Sequence, residues 1–336
     1  MMDVQVFNRQ GFVIGELRCS VEEVTWRRNS LGRVRARLSK GDIGATQELL
    51  EYGNRVLLRF DNGLPSFGGI IDPPRKWDGD SVEVTIYSGD YLLKFYKTTK
   101  TRFFPDASVG YIAQRVIEEA NTGVLIGEIW TGGNLHTIEY HYNQLDTLFN
   151  SLFNDLSTAD YVIEPQLNDN RLQFILNVYE RRGIDKPGIA LHEGFNVTEG
   201  TTLHEQGPIV NDWTVVGDGS GWGDERPTRS DADNISINQY GLREGSIIAT
   251  GITDTTTLQS IASTNLVQTK RPHNIFSIAA VNKKPGLFSD YDIGDSVMAE
   301  MPGYGFGGFR GMVRVDGRSF QPNSGICTTN VREEAT

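Results

Sequence analysis

Two short segments near opposite ends of the 336-residue chain share one pattern. Gly53-Asn54-Arg55-Val56 and Gly294-Asp295-Ser296-Val297 each read Gly, then Asn or Asp, then any residue, then Val. This is a strand-entry turn: Gly reaches backbone conformations that other residues avoid, and a β-branched residue opens the strand behind it. The surroundings repeat as well. Ala36, in Arg35-Ala36-Arg37-Leu38, lies 17 positions before Gly53, and Ser277, in Phe276-Ser277-Ile278-Ala279, lies 17 before Gly294. Phe67-Gly68-Gly69-Ile70-Ile71 follows the first turn and Phe309-Arg310-Gly311-Met312-Val313 the second, with Gly69 and Gly311 16 and 17 positions on. The pattern predicts one β unit built twice, once at each end.

The first end carries further strand signals at Val34–Leu38, Val56–Phe60 and Val82–Tyr87, separated by Gly, Asp, Asn and Pro clusters. The middle differs. Val109, Ile112, Ala113, Val116, Ile117 and Ala120 recur at helical spacing, and so do Leu145, Leu148, Phe149, Leu152, Phe153 and Leu156. Strand-like stretches at Tyr161–Pro165 and Arg171–Tyr179 flank an Asn168-Asp169-Asn170 turn. Beyond Trp213–Val216, a polar, Gly-rich run from Gly217 to Asp233 reads as a long exposed loop with strand ends. Asp254 caps a third helix through Leu258, Ile261, Ala262 and Leu266, closed by Pro272.

The expected fold is therefore α+β and predominantly antiparallel β. Residues 1–98 are expected to form a first β domain, a barrel or sandwich, 99–204 an α+β middle domain, 205–252 a long β-hairpin or linking segment, and 253–336 a second such β domain with a leading helix.

Composition narrows the function. A hydrophobic fraction of 38% with 16 Phe, 12 Tyr and 5 Trp suffices for packed cores. The two cysteines, Cys19 and Cys327, are too few for a disulfide scaffold or a cysteine-based zinc site. Met1 to Val6 lacks a signal-peptide pattern, and no window approaches the roughly 18 apolar residues of a membrane helix, so no membrane partner is expected. The formal net charge of −11 disfavours a general duplex-binding surface. Locally the sign reverses: Arg27, Arg28, Arg33, Arg35 and Arg37 cluster, and the last three alternate onto one strand face. No stacking aromatics accompany that stripe, so a subunit contact is the preferred reading over nucleic acid.

No catalytic, cofactor or metal residue is assigned. His192-Glu193 and His204-Glu205 lack the second His of a zinc-protease helix, and no nucleophile elbow, phosphate loop or dinucleotide fingerprint occurs. His136 and His141 stand five apart and read as a surface pair on opposite strand faces. Gly303 to Gly308 reads as an aromatic turn. A carboxylate pair distant in sequence, as in glycosidases, is compatible with the composition.

Several stretches, in this order, resemble the tail-hub proteins of long-tailed bacteriophages, the group related to contractile-phage baseplate hubs and to the N-terminal part of tail-associated lysins. They are Glu23-Val24-Thr25-Trp26-Arg27-Arg28-Asn29, Tyr52 to Val56, Phe67 to Ile71, and Asn234 to Glu244. The resemblance spans most of the chain. It implies two tail-tube-like barrels per subunit and a homotrimer, so that three subunits present six barrels to a sixfold tail tube. It also implies a place at the virion tail tip after assembly in the host cytoplasm. The implied partners are a tube-proximal distal tail protein, the tape-measure protein and tip or fibre proteins, with DNA only as a passing genome. Lysin relatives continue into a hydrolase module, whereas the sequence stops at Thr336 after its last strand; a hub without enzyme activity is expected. A wall-degrading or receptor-carbohydrate-binding tail protein is the alternative; an unrelated secreted sugar-binding β protein fits less well, lacking an export signal.

Trp26, Arg27, Arg28, Arg33, Arg35, Arg37, Tyr240, Arg243 and Glu244 are the candidate subunit or intrachain contacts, since aromatics and Arg are favoured at interfaces. Changing Arg33, Arg35 and Arg37 together to Ser is expected to weaken assembly more than monomer folding. Sedimentation and thermal melting of the same sample check this; unchanged association at equal stability would contradict it.

Overall fold

A computed structural model describes residues 2–41, 46–206, 209–219, 226–249, 251–305 and 307–334. The 220–225 part of the expected loop and Phe306 of the aromatic turn lie outside these residues.

The first end forms seven strands: β1 (Met2–Phe7), β2 (Val13–Glu16), β3 (Ser20–Arg27), β4 (Arg33–Ser39), β5 (Arg55–Phe60), β6 (Phe67–Asp78) and β7 (Ser81–Ser88). Their spatial order is β3-β4-β7-β6-β5-β1-β2. Strict alternation drives this. Val34, Ala36 and Leu38 of β4 and Val82, Val84 and Ile86 of β7 enter one core, while Arg33, Arg35 and Arg37 point the other way.

The middle contains β8 (Arg102–Ala107), α1 (Val109–Ala120), β9 (Leu125–Ile129), β10 (His136–Tyr140), α2 (Leu145–Asn150), β11 (Asp160–Asn168) and β12 (Arg171–Tyr179). Ser108 caps α1 by accepting the Tyr111 N–H, and Asn121 ends it in a left-handed conformation. The second apolar repeat gives α2 and then a π-helical turn at Ser151–Asp155. Both apolar stripes enter a core shared with Tyr161, Ile163, Phe174, Leu176 and Val178 of the β11–β12 hairpin.

The remaining elements are β13 (Asp185–His192), β14 (Thr202–Gln206), β15 (Asp212–Val216), β16 (Thr228–Ala232), α3 (Asn234–Tyr240), β17 (Glu244–Ile248), α4 (Thr255–Thr269), β18 (His273–Val281), β19 (Ser296–Met301), β20 (Phe309–Gln321) and β21 (Ile326–Glu333). Two findings depart from the sequence reading here. Residues 234–240 are helical, because Asp233 caps them by accepting the Ser236 N–H at 2.8 Å. Helix α4, expected to lead the second end unit, instead buries Leu258, Ile261 and Ala262 in the middle core, beside Val215 of the β16-β15-β17 sheet. An apolar helical stripe specifies a core to cover but not which one.

The two ends are one module built twice. Strands β14-β18-β21-β20-β19-β13 follow the same order as β3-β4-β7-β6-β5-β1. The matching turns carry matching hydrogen bonds: Gly53 N–H donates to Ile71 O, and Gly294 N–H to Val315 O, both at 2.8 Å. Ile71 N–H donates to Asn54 O and Val315 N–H to Asp295 O, both at 2.9 Å. The modules differ at the outer strand, where β1 meets β5 antiparallel but β13 meets β19 parallel. One sequence alignment needs correction. Ala36 sits opposite Val84 and Ile278 opposite Thr329, and Val34, Ala36 and Leu38 match the buried Phe276, Ile278 and Ala280. Ile278, not Ser277, is therefore the counterpart of Ala36, and the connecting loop is one residue shorter.

The expectation of two separate barrels is also corrected. Among the described residues neither strand set closes on itself. The strand that would meet the far edge of the first module is β3, and its second half pairs with β20 instead: Val24, Thr25, Trp26 and Arg27 face Phe320, Ser319, Arg318 and Gly317. The two modules thus share one continuous sheet.

Gly53 and Gly294 have φ of +89° and +92°, but a Cβ on Gly53 would meet only the flexible Arg9 side chain, whereas on Gly294 it would lie 2.3 Å from Arg182 O. Gly53→Ala is expected to cost about 1–2 kcal/mol from backbone strain alone. Gly294→Ala should cost at least ~1 kcal/mol more through the backbone clash. Urea unfolding of both variants checks the order.

Candidate interface site

The segment Trp26-Arg27-Arg28-Asn29 leaves the end of β3 where the two end modules and the middle core meet. Trp26 packs against both end cores. Its ring lies edge-on to Phe60 and Phe67 at 5.6 and 6.2 Å, and Phe60 in turn meets Phe320 at 6.1 Å. Across the joint, Arg318 is fully buried. Its guanidinium donates to the carbonyls of Tyr291 (2.8 Å) and Phe288 (3.2 Å) and stacks over the Tyr291 ring at 4.5 Å.

Arg28 binds two carboxylates, its Nη1 donating to Asp160 Oδ1 and its Nε to Asp316 Oδ1, each at 2.8 Å. Burial works against the charge on Arg28, but Asp316 and Asp160 outweigh it and raise its pKa. Asp160, at the start of β11, is fully buried. Besides Arg28 it accepts from Arg314 Nη2 of β20 and from the Arg182 backbone N–H at 2.7 Å. One carboxylate thus ties the end of β3, the middle hairpin and β20 together. Asn29, at φ +47°, completes the junction: its Nδ2 donates to Ala159 O at 3.1 Å and its Oδ1 accepts the Tyr161 N–H at 2.9 Å.

The other candidates are placed differently. Arg27 is exposed at the strand end. Arg33 and Arg35 reach Glu23 at 3.8 and 3.2 Å, and Arg37 reaches Glu22 at 2.9 Å, with Asp78 and Glu83 beyond. The stripe lies on one face, but its charge is matched by neighbouring carboxylates, so it is not a free cationic surface for phosphates. Exposed pairs of this kind contribute about 0–1 kcal/mol each. Tyr240, Arg243 and Glu244 are not brought to the junction: Tyr240 ends α3, Glu244 opens β17 of a different sheet, and between them the Arg243 N–H donates to the buried Asn211 Oδ1 at 2.8 Å.

Sequence reasoning missed Asp160, Arg314, Asp316 and Arg318. For the last three the charged run Arg314, Asp316 and Arg318 was the available signal, although an irregularity between Val315 and Gly317 turns Arg318 into the core; Asp160 had none. The histidine pair is corrected too. His141 is exposed, but His136 is buried with both ring nitrogens unpartnered, because β10 turns it into the middle domain. Among the described residues, no group of three or more His, Cys, Asp and Glu is placed to hold a metal ion.

Replacing Asp160 by Asn leaves two half-buried guanidinium groups without their shared counter-charge, and is expected to cost about 3 kcal/mol. A lowered urea midpoint at neutral pH checks this. Two buried groups have opposing titrations. Burial pushes the carboxyl of Asp90, which lines the cleft beside Trp26, up to about 6, and burial pushes His136 down to about 4. Asp90 therefore lowers stability as pH rises from its ordinary 3.8 towards 6, and His136 lowers it as pH falls from its ordinary 6.5 towards 4. Asp90→Asn should steepen the loss of stability on acidification relative to the parent chain, and His136→Leu should make it shallower. Urea midpoints across the window check both.

No family model matches the sequence, and no curated protein is detectably similar to it. Solved structures are similar over the whole chain. The prophage tail protein gp18 from Listeria monocytogenes EGD-e has a TM-score of 0.65 at 12% identity, covering 99% of this chain and 94% of that one. The 43 kDa tail protein of prophage MuSo2 from Shewanella oneidensis has a TM-score of 0.63 at 12% identity, covering 99% and 98%. The Escherichia coli protein c3393, a type VI secretion component described as structurally similar to T4 tail proteins gp27 and gp5, has a TM-score of 0.57 at 10% identity, covering 95% and 74%. The chain therefore has the fold of phage tail proteins.

Proposed function

We propose that this protein is a structural hub of a phage tail: a trimeric ring at the tail tip that adapts a sixfold tube to a threefold tip and surrounds the exit channel for genome and tape-measure protein. The observation that carries the reading is the doubled module. One chain supplies two β units of equal strand order, joined side by side through β3 and β20 with the Asp160 clamp behind them. Three such chains would present six like units to a sixfold neighbour while differing in side chains at alternate units. The full-length likeness to tail proteins supports the same reading. The role is structural and not enzymatic. Its expected neighbours are a distal tail protein above the ring, the tape-measure protein within it and tip or fibre proteins below. A formal charge of −11 per subunit keeps the ring from holding a passing genome.

Electron microscopy of the protein in its assembled tail tests this through copy number and position. Three copies around an axial channel, with six like modules in a ring, is the expected result. A single copy or a peripheral position overturns the hub and favours a sugar-binding or wall-degrading tail protein.

A further inference from the structure

The internal joint is a template for a joint between copies, and the duplication shows which edges are free to make it. In the joint, the second half of β20 receives the second half of β3. The counterpart of β20 in the first module is β6. Both strands carry an irregularity just after the matched residues Ile71 and Val315, at Pro73-Pro74 in one and Asp316 in the other. Beyond it, the pairings with β7 and β21 match Arg75, Lys76 and Trp77 to Arg318, Ser319 and Phe320. A side-chain contact agrees with that register: Arg75 stacks over the Tyr52 ring at 4.0 Å, as Arg318 stacks over Tyr291 at 4.5 Å.

The two positions differ in what covers them. Phe320 is 5% exposed, packed against Phe60 and Phe288, whereas Trp77 is 59% exposed. The Nε and Nη2 atoms of Arg75 have no hydrogen-bond partner. Among the described strands, β6 pairs with β5 only through Phe67–Ile70, so the edge of Arg75–Asp78 away from β7 is open. The counterpart of β3 is β14. It pairs with β18 as β3 pairs with β4, which matches Leu203 to Val24, and its other edge is open among the described strands.

We infer that one copy of this chain docks on the next by adding β14 antiparallel to the distal half of β6, repeating between copies the β3–β20 joint within each copy. The register places Leu203 opposite Trp77, His204 opposite Lys76 and Glu205 opposite Arg75. The contact is head to tail, since each copy offers β6 on one module and β14 on the other, and such contacts close into a ring when the rotation allows. Strand addition satisfies backbone groups on both edges, and the indole supplies the apolar anchor that Phe320 supplies inside the chain. The inference deepens the ring reading and rests on it for the number of copies, but not for the identity of the edges.

Full-length Lys76→Cys and His204→Cys variants, mixed and treated with a short thiol-reactive cross-linker, test it, with the parent chain as control for Cys19 and Cys327. The expected result is a linked dimer in the mixture and none from either variant alone. The chain carrying both substitutions should give a ladder that ends at three. A ladder running past three retains the joint and overturns the threefold ring. A ring seen by microscopy without linkage overturns the joint and retains the ring. Linkage by either variant alone means a face-to-face contact and overturns the joint, and a chain that stays monomeric to its solubility limit overturns both. Trp77→Glu should abolish association without shifting the melting temperature of the monomer; loss of both together would assign Trp77 to folding instead.

Discussion

A single buried carboxylate holds the architecture together. Asp160 is out of contact with water, and a charge in that position is tolerated only because two guanidinium groups and a backbone N–H converge on it. Those partners come from the end of β3, from β20 and from the segment after β12, so the ionic cluster forms only when both end modules and the middle domain are in place. The aromatic cluster of Trp26, Phe60, Phe67 and Phe320 lies beside it and supplies the apolar contact that the cluster cannot. Together they turn two β modules into one rigid segment.

That rigidity gives the duplication its meaning. A repeated module with a flexible linker would be two independent domains. A repeated module whose sheets run on through β3 and β20 fixes the rotation from one unit to the next. The middle domain, built from β11, β12 and the apolar faces of α1, α2 and α4, reaches this joint through Asp160 and Asn29.

How much of this could be read from the sequence followed the range of the interactions. Period-two burial in Arg33–Leu38 and the helical stripe from Val109 to Ala120 are local and were legible. The Gly53 and Gly294 turns were legible as a repeat, since their conformation demands Gly. The spacing that linked them to Ala36 and Ser277 slipped by one residue, because a loop that differs by one residue puts the wrong face in register. Asp160 was not legible: its partners Arg28 and Arg314 lie 132 and 154 positions away, and nothing local distinguishes a buried Asp from a solvated one. Nor was the home of α4, whose Leu258, Ile261 and Ala262 would suit any of the cores. Trp26 and Arg28 stood out through residue type, but their contacts inside the chain emerged only with the fold.

The claim on which this account depends most is that the two end modules behave as one body. Native-state hydrogen exchange of the full-length protein measures it directly, at the amides of residues 24–27 and 317–320. These amides are expected to exchange only with global unfolding, at the same opening free energy as the module cores around Val34 and Phe276. Opening of the joint at clearly lower free energy than both cores would mean two modules on a hinge, and would contradict a single rigid body.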